Sequence, residues 1–482
     1  MPGRNRKPLS DQKSLDSRIF ELFSPTDYRY GVNELRQFLS EESYVRYKAR
    51  VEAELVNQLA REGICSQEIA REVAIACEHV AANEVYEEEA RIKHDIRALV
   101  NVIRNKVSDS AKPYVHLSAT SYDIVDTANG MRLKDAVDKV ILPDLVKLES
   151  ALIELAIIHA DTLQIGRTHG QHAEPTTFGY HISYYVSRLG KRILAVRDSA
   201  SNLNGKFSGA VGVYGPLSLM VKDPEKFEKQ VITSLGLVPS ESSTQIVQPE
   251  PLSDFLHSIV STFGVLANFS RDMRHLQRTE ISEIAEQFTD TQVGSSTMPQ
   301  KRNPINFENI ESMWKKFMPQ MITVYLDQVS EHQRDLTNSS SQRYIPELLV
   351  AFDYCVRRLT RTIWDSKLNK PRLTIDESML NRNLEYNLDK ISAEPLYVLL
   401  SLAGYPNAHE MVRQLVQESI ERKLDFQNVV RSNKKLSKYL STIPKEKMRI
   451  IENPRLYVGI APRKATKIAT SWKKIMADLQ AS

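Results

Sequence analysis

Long stretches of the middle of the chain carry apolar residues at three- and four-residue spacings and are nearly free of proline. Such spacing places the apolar side chains on one face of a helix. The clearest seams lie in residues 253–292 (Leu256, Ile259, Phe263, Leu266, Met273) and 144–160 (Leu145, Leu148, Leu152, Leu155). Residues 176–200 and 306–330 are also compatible with helix. The pattern predicts a bundle of long helices.

Shorter helical patterns flank this bundle. They occupy residues 34–108, and they resume after about residue 365, where the prolines and turn formers of "NKPRLTIDESM" intervene. We therefore predict an all-α chain with a central long-helix bundle. Its parts are a flexible basic tail (1–20), an N-terminal helical domain (21–115), the central bundle (116–365) and a C-terminal helical domain (366–482).

Composition narrows the functional classes. The chain has only 17 glycines in 482 residues, which favours helix over sheet, and its net charge of +4 is too small to indicate nucleic-acid binding. No apolar run reaches the length of a membrane span. The three cysteines form no CxxC pair, which fits a reducing compartment. We expect a cytoplasmic protein that binds neither nucleic acid nor membrane.

Polar clusters interrupt the helical pattern at five places, and the first three lie toward the N-terminus. Arg29 and Tyr30 in "SPTDYRYG" suit an anionic ligand, although a surface turn explains them equally well. Lys93, His94 and Asp95 are predicted on a helix, as an acid–base group or a solvated face. "VHLSATSYDIVDTA" places hydroxyls at a helix start, which is a natural anion site, although simple capping would use one or two of them.

The fourth cluster, "GRTHGQHAEPTTFGY" (166–180), is predicted at the junction of two apolar helices. Polar groups this dense are hard to explain as packing, because buried polar groups each need a partner. The spacing of His169 and His172 permits metal binding, but no third ligand lies nearby in the sequence. We expect no metal and no cofactor.

The fifth cluster combines "VGSSTMPQKRNP" (293–304) with "HQRDLTNSSSQRYIP" (332–346). Glycine and prolines keep the first segment from joining the flanking helices, which indicates a loop. Two arginines beside a serine cluster in the second segment suggest a clamp for carboxylate or phosphate. The glycine-rich "GAVGVYG" (209–215) follows no predicted strand, so we interpret it as a turn and not as a dinucleotide loop.

These segments resemble the fumarase/aspartase superfamily. "GSSTMPQKRNP" looks like its signature loop, and "TSYDIVDTA", "GRTHGQHAEPTTFG", "STQIVQPE" and "QRDLTNSSSQR" are similar, in order, to segments of the adenylosuccinate lyase family. The likeness runs from about residue 24 to about residue 475. Gln300 departs from the histidine common in that family, which weakens the substrate assignment slightly.

The resemblance implies a three-domain helical subunit and a homotetramer whose active sites are each built from three subunits. It implies cleavage of adenylosuccinate to AMP and fumarate, and of SAICAR to AICAR and fumarate, without a cofactor. By the same resemblance the catalytic residues are Ser295 (general base), His169 (general acid), Lys301 and Glu308. The substrate-binding residues are Arg29, Tyr30, Lys93, His94, Asp95, His116, Thr120, Ser121, Gln245, Ser296, Asn303, Asn309, Arg334, Ser339 and Arg343.

Two alternatives remain open at the level of sequence. One is another lyase of the superfamily, such as an argininosuccinate lyase or a muconate cycloisomerase, against which Arg29, Tyr30 and "THGQHAEPTT" argue. The other is a catalytically silent helical protein, against which the retention of Ser295, Lys301 and His169 argues. A substrate panel separates the three.

Overall fold

A computed structural model describes residues 22–288 and 296–481. In this part of the chain most residues are helical, as predicted, and the strands are short. The helices of the first half are α1 Pro25–Tyr28, α2 Arg36–Leu39, α3 Glu41–Arg61, α4 Gln67–Glu78, α5 Ala82–Ile92, α6 Asp95–Arg104, α7 Ser121–Ala136, α8 Leu142–Ile158, α9 Phe178–Ser201, α10 Pro224–Ser234 and α11 Glu250–Leu276.

The second half of the chain continues with further helices. They are α12 Ile305–Phe317, α13 Gln320–Leu326, α14 Ile345–Ile363, α15 Glu377–Glu385, α16 Leu388–Ile391, α17 Ala393–Leu402, α18 Ala408–Arg422, α19 Phe426–Ser432, α20 Ser437–Leu440, α21 Lys445–Glu452 and α22 Ala461–Ala481. Short 3₁₀ turns and one π-helical turn, Val137–Ile141, fill several connections. Among the described residues no helix is long and apolar enough to span a membrane.

The strands form two-stranded sheets. They are β1 Leu163–Thr168 with β2 Gln171–Thr177, β3 Asn204–Gly205 with β4 Val238–Pro239, β5 Ile284–Ala285 with β8 Thr374–Ile375, and β6 Trp364–Asp365 with β7 Lys370–Pro371. The pair β3–β4 is parallel and the others are antiparallel.

The chain forms two compact units assembled from discontinuous segments. Unit 1 comprises the described residues within 1–136, 203–250 and 323–354, and unit 2 comprises the described residues within 137–202, 251–322 and 355–482. In unit 1, α3 packs against α4 and α7. In unit 2, α8, α9 and α22 pack together. The three consecutive domains expected from the sequence are a different division of the chain and stay a prediction.

The predicted apolar seams are buried. Leu145, Leu148, Leu152 and Leu155 of α8 are at most 2% exposed, and so are Leu256, Ile259, Phe263, Leu266 and Met273 of α11. Close packing on α9 is visible at Gly190, where an added Cβ would lie 2.4 Å from the Trp472 ring of α22. Only a residue without a side chain permits that approach.

Three segments differ in detail from the prediction. The fourth polar cluster lies between helices α8 and α9, as predicted, and folds there as the β1–β2 hairpin. The helix expected over 253–292 ends earlier, at Leu276, and the chain turns at Ser282 (φ 53°) before buried Glu283. Residues 306–330 are helical, as predicted, but divide into α12 and α13, with Pro319 between them.

Candidate functional site

Helix α7 begins at the hydroxyl-rich segment. His116 and Ser118 adopt positive φ angles of 64° and 68° before the helix starts at Ser121. Asp123 accepts the Thr120 backbone N–H at 2.8 Å, so its carboxylate caps the helix.

The Lys93–His94–Asp95 triplet lies between two helices, which corrects the prediction that it lies on one. Lys93 follows α5 with φ 60°, in the left-handed region, and thus ends that helix. His94 then caps α6, and its Nδ1 accepts the Arg97 backbone N–H at 3.3 Å. The Asp95 carboxylate accepts its neighbour's N–H at 2.7 Å and lies 3.5 Å from Lys48 Nζ. This junction holds three polar side chains at one place.

These two features meet at a cavity of about 490 Å³ within unit 1. Its walls come from α3, α5, α6, α7 and the segment 336–343. The residues of the sequence prediction that line it are Lys93, His94, Asp95, Ser121, Gln245, Ser339 and Arg343. Residues up to 250 positions apart in the sequence (343 − 93 = 250) therefore line the same cavity.

Other lining residues were not predicted from the sequence. Tyr44 and Lys48 of α3 line the cavity, as do Tyr86, Tyr122 and Arg132. Burial lowers the pKa of Lys48, although Asp95 partly offsets this effect. A lysine, a tyrosine or an arginine in a helical pattern is usually assigned to a solvated face, so no sequence signal identified these residues.

Arg334 lies behind one wall of the cavity. Its guanidinium covers the Tyr122 ring at 4.2 Å from the centroid, and it donates to Asn338 Oδ1 at 2.6 Å. It also donates to the Tyr122 hydroxyl. Since Tyr122 lines the cavity, Arg334 in this structure supports that wall and is not itself a lining residue.

Four other predicted residues of unit 1 also lie outside the lining: Arg29, Tyr30, His116 and Thr120. The Tyr30 ring packs edge-on against Tyr354 at 5.2 Å, and Arg29 is exposed. His116 Nδ1 lies 2.6 Å from Glu52 Oε1. Burial alone would lower the pKa of His116, but the Glu52 carboxylate outweighs burial and raises it. His116 thus has an internal ion-pair partner.

A buried ion pair fixes the start of α7 to the glycine-rich loop. Lys206 and Asp123 are both fully buried, and the Lys206 ammonium donates to the Asp123 carboxylate. Lys206 Nζ also donates to Gly209 O at 3.1 Å, and the Gly209 N–H donates back to Asp123 at 3.3 Å. "GAVGVYG" is therefore a loop anchored to α7, in agreement with its rejection as a dinucleotide loop.

His169 lies in unit 2, at the tip of the β1–β2 hairpin. It has φ 55°, it is followed by Gly170 with φ 76°, and its side chain is exposed. The hairpin is anchored by buried Glu283, which accepts from Gln164 Nε2 at 2.8 Å and from Arg167 Nη2 at 2.5 Å. The tip is exposed while its base is firmly held.

The signature loop is described only in part. Ser295, the predicted general base, lies outside the described residues. Ser296 and Lys301 are exposed, and the Lys301 N–H donates to Met298 O at 3.0 Å. Asn303 immediately precedes Pro304 and α12, whose first backbone N–H groups, those of Asn306 and Phe307, are both capped by Glu286 at 3.0 Å.

Two further predicted residues lie on α12. Glu308 is exposed, and its carboxylate lies 3.8 Å from Arg274 Nη2. Asn309 is partly buried, and its side-chain oxygen has no hydrogen-bond partner in the described part of the chain. Across the same part, no group of three or more histidine, cysteine, aspartate or glutamate side chains is arranged to hold a metal ion.

Comparison with known proteins places the chain in a family. Residues 24–318 match the family model described as Lyase, and residues 330–450 match the one described as Adenylosuccinate lyase C-terminal. The adenylosuccinate lyase of Pyrococcus abyssi is 36% identical over 443 residues, covering 91% of this chain and 95% of that protein. The chain belongs to the adenylosuccinate lyase family. The Methanocaldococcus jannaschii member is 32% identical over 93% of this chain and 96% of its own length, and the Bacillus subtilis member 30% over 86% and 93%.

Solved structures show that the family's helical fold is shared more widely. A 3-carboxy-cis,cis-muconate lactonizing enzyme from Pseudomonas putida superposes with a TM-score of 0.78 at 23% identity, covering 93% of this chain and 99% of that one. A fumarate lyase from Mesorhizobium sp. BNC1 gives 0.76 at 20% identity, covering 92% and 98%. These structures bear on the fold of this adenylosuccinate lyase family member, whereas the sequence relatives bear on its family.

Proposed function

We propose that this chain is a C–N lyase that cleaves adenylosuccinate to AMP and fumarate, and SAICAR to AICAR and fumarate, in purine nucleotide biosynthesis. The observation that carries the proposal is the cavity of unit 1. It gathers Ser121, Gln245, His94, Ser339 and Arg343, which the motif resemblance assigns to substrate binding. Its cationic and hydroxyl groups suit a substrate with a phosphate and two carboxylates.

The chemistry is a β-elimination. A base removes a proton from the carbon beside a succinyl carboxylate, and the resulting carbanion is delocalised into that carboxylate. Its electron pair then forms the double bond of fumarate as the C–N bond breaks, and an acid protonates the departing purine nitrogen. The site therefore needs a base, an acid and groups that stabilise extra negative charge.

The proposed roles follow the family positions of this sequence. Ser295 is the base, Lys301 and loop N–H groups stabilise its alkoxide, and His169 is the acid. Ser296 and Asn303 hold the succinyl carboxylates, and Glu308 is catalytic in a supporting role. The exposure of His169 and Lys301 supports this assignment, because reacting groups must be accessible to the substrate.

The assembly proposed is a cytoplasmic homotetramer in which three subunits contribute to each site. Its support is the distribution of site residues. The cavity-lining set belongs to unit 1, whereas His169, Lys301 and Glu308 belong to unit 2 and are exposed in the single chain. Mixing His169→Gln and Ser295→Ala proteins should restore some activity after subunit exchange. Confirmed exchange with no recovery would argue against shared sites.

The activity is tested with purified protein and a substrate panel. Adenylosuccinate and SAICAR should each release fumarate together with AMP or AICAR in equal amounts, while argininosuccinate and 3-carboxymuconate should be unchanged. Turnover of either of the last two, in place of the purine substrates, would assign the chain to another lyase activity. No turnover of any of them would favour a catalytically silent protein.

A further inference from the structure

One arginine of the cavity has an N–H group without a hydrogen-bond partner. Arg132 on α7 is 4% exposed, and its Nη1 is the unpartnered atom. Its Nε donates to Asn129 Oδ1 at 2.9 Å, and the Glu41 carboxylate, which lines the same cavity, favours its charged form from nearby. A buried donor that lacks an acceptor is unfavourable. Such a cost is expected where a bound ligand supplies the missing acceptor.

The immediate surroundings of Arg132 add positive charge. The Tyr44 ring is flanked by the Arg132 guanidinium, 3.9 Å from its centroid, and by Lys48 Nζ at 4.0 Å. The nearby carboxylate of Glu41 already accepts the Tyr86 hydroxyl at 2.6 Å. Burial lowers the pKa of both Arg132 and Lys48, and neighbouring carboxylates, Glu41 for Arg132 and Asp95 for Lys48, offset only part of this effect.

The position of Arg132 separates it from the other anion site of the cavity. Ser121, Val125, Asn129 and Arg132 all line the cavity and lie on one face of α7. Ser121 is at the helix N-terminus, which favours anions, and Arg132 is about 16 Å further along the axis, at 1.5 Å per residue. Arg343 is a further cation that lines the same cavity.

We propose that Arg132, assisted by Lys48, donates hydrogen bonds to the phosphate monoester of the nucleotide substrate, at the end of the cavity opposite Ser121. This inference rests on the proposed function, because it assumes a substrate with a phosphate at one end and succinyl carboxylates at the other. The planar guanidinium suits phosphate, and Nη1 offers a donor that no protein group uses.

The test compares Arg132→Met with wild type by calorimetry, using AMP, adenosine and fumarate as ligands. Methionine keeps an unbranched side chain and removes the charge. AMP affinity should fall about 10- to 100-fold, the range of a hydrogen bond to a charged group, while adenosine and fumarate affinities stay unchanged. The matched control is Arg46→Met on α3, where an exposed arginine pairs with Glu42 at 3.6 Å; it should leave all three affinities unchanged.

Three other patterns overturn the inference. Equal AMP affinity in Arg132→Met and wild type would make the arginine structural, and equal losses for AMP and adenosine would remove the phosphate from the explanation. A loss confined to fumarate would assign the guanidinium to a carboxylate. The proposed function fails separately, if the wild-type protein prefers AMP to adenosine but releases no fumarate from adenylosuccinate.

Folding is controlled by thermal unfolding of the same variants. Removal of this buried charge and its unpartnered donor should leave the midpoint of Arg132→Met unchanged or higher. If that variant does not fold, Arg132→Lys decides the question, because it keeps the charge and loses the planar fork. It should then lose part of the AMP affinity and none of the adenosine affinity, and full AMP affinity would contradict the proposed contact.

Discussion

The cavity of unit 1 and the exposed turns of unit 2 hold their functional groups in opposite ways. The cavity residues are anchored by internal contacts, such as the Asp123 cap behind Ser121 and the helix junction at His94. His169 and Lys301 lie on exposed segments of a hairpin tip and a loop. In the proposed function, the anchored cavity of unit 1 would recognise the substrate, whereas the chemistry would depend on groups exposed at the surface of unit 2.

The largest expected effect is a loss of turnover with unchanged ligand binding. His169→Gln should lower turnover of adenylosuccinate by roughly 100-fold or more, the scale of general acid catalysis, while AMP binding by calorimetry stays unchanged. The matched control is His79→Gln, an exposed histidine of unit 1, which should keep wild-type turnover. Normal turnover in His169→Gln would remove this residue from the acid role.

The second effect tests whether the stability of the protein depends on the buried ion pair between Lys206 and Asp123. Lys206→Met leaves the Asp123 carboxylate buried without its cation, so the free energy of unfolding should fall by about 3–5 kcal/mol. Chemical denaturation measures this change, and Lys226→Met, on the exposed face of α10, is the control. The double variant Lys206→Met/Asp123→Asn should recover part of the loss. Wild-type stability in Lys206→Met would mean that the pair does not anchor α7.

A smaller effect tests whether Ser121, at one end of the cavity, contacts the substrate. Ser121→Ala removes one neutral hydrogen bond to the substrate, so KM should rise about 2- to 10-fold with little change in kcat. Steady-state kinetics with adenylosuccinate measures both constants, and Ser110→Ala, at an exposed position outside the cavity, serves as the control. An unchanged KM would show that the hydroxyl does not contact the substrate.

The smallest effect concerns pH and a carboxylate of α7. Burial raises the pKa of Asp126 to about 6, although the 3.0 Å hydrogen bond that its carboxylate accepts from the Val247 backbone N–H acts to lower this pKa. Because this pKa is above that of the unfolded chain, the stability contributed by Asp126 is complete below about pH 4 and is lost as the pH rises through 6. Because the asparagine of Asp126→Asn stays neutral, the thermal midpoint of this variant should rise relative to that of wild type between these two pH values. Above them, the difference between the two midpoints should be constant. A difference independent of pH would contradict the raised pKa.

Sequence periodicity predicted the long helices because their buried faces are continuous. The seams of α8 and α11 could be identified from leucine and phenylalanine spacing alone. The β1–β2 hairpin could not, because its polar strands pair with each other and are anchored by Glu283, more than a hundred residues further along the chain. Tertiary contacts of this kind leave no local pattern in the sequence.

The candidate site likewise contains some residues that the sequence identified and others that it did not. Motif resemblance identified Ser121, His94 and Arg343, which the fold brings to one cavity. Arg132 escaped detection because an arginine in a helix normally faces solvent. Its burial follows from the packing of α7 against α3, which places Tyr44 over its guanidinium. The side chains that depend on helix packing could therefore be found only in the folded chain.

The most direct measurement is a crystal structure of the His169→Gln variant with adenylosuccinate bound. We expect the substrate to occupy the cavity of unit 1, with its phosphate beside Arg132 and a succinyl carboxylate at the N-terminus of α7. Substrate bound outside this cavity, or bound in it with the phosphate at Ser121, would contradict the proposed binding mode.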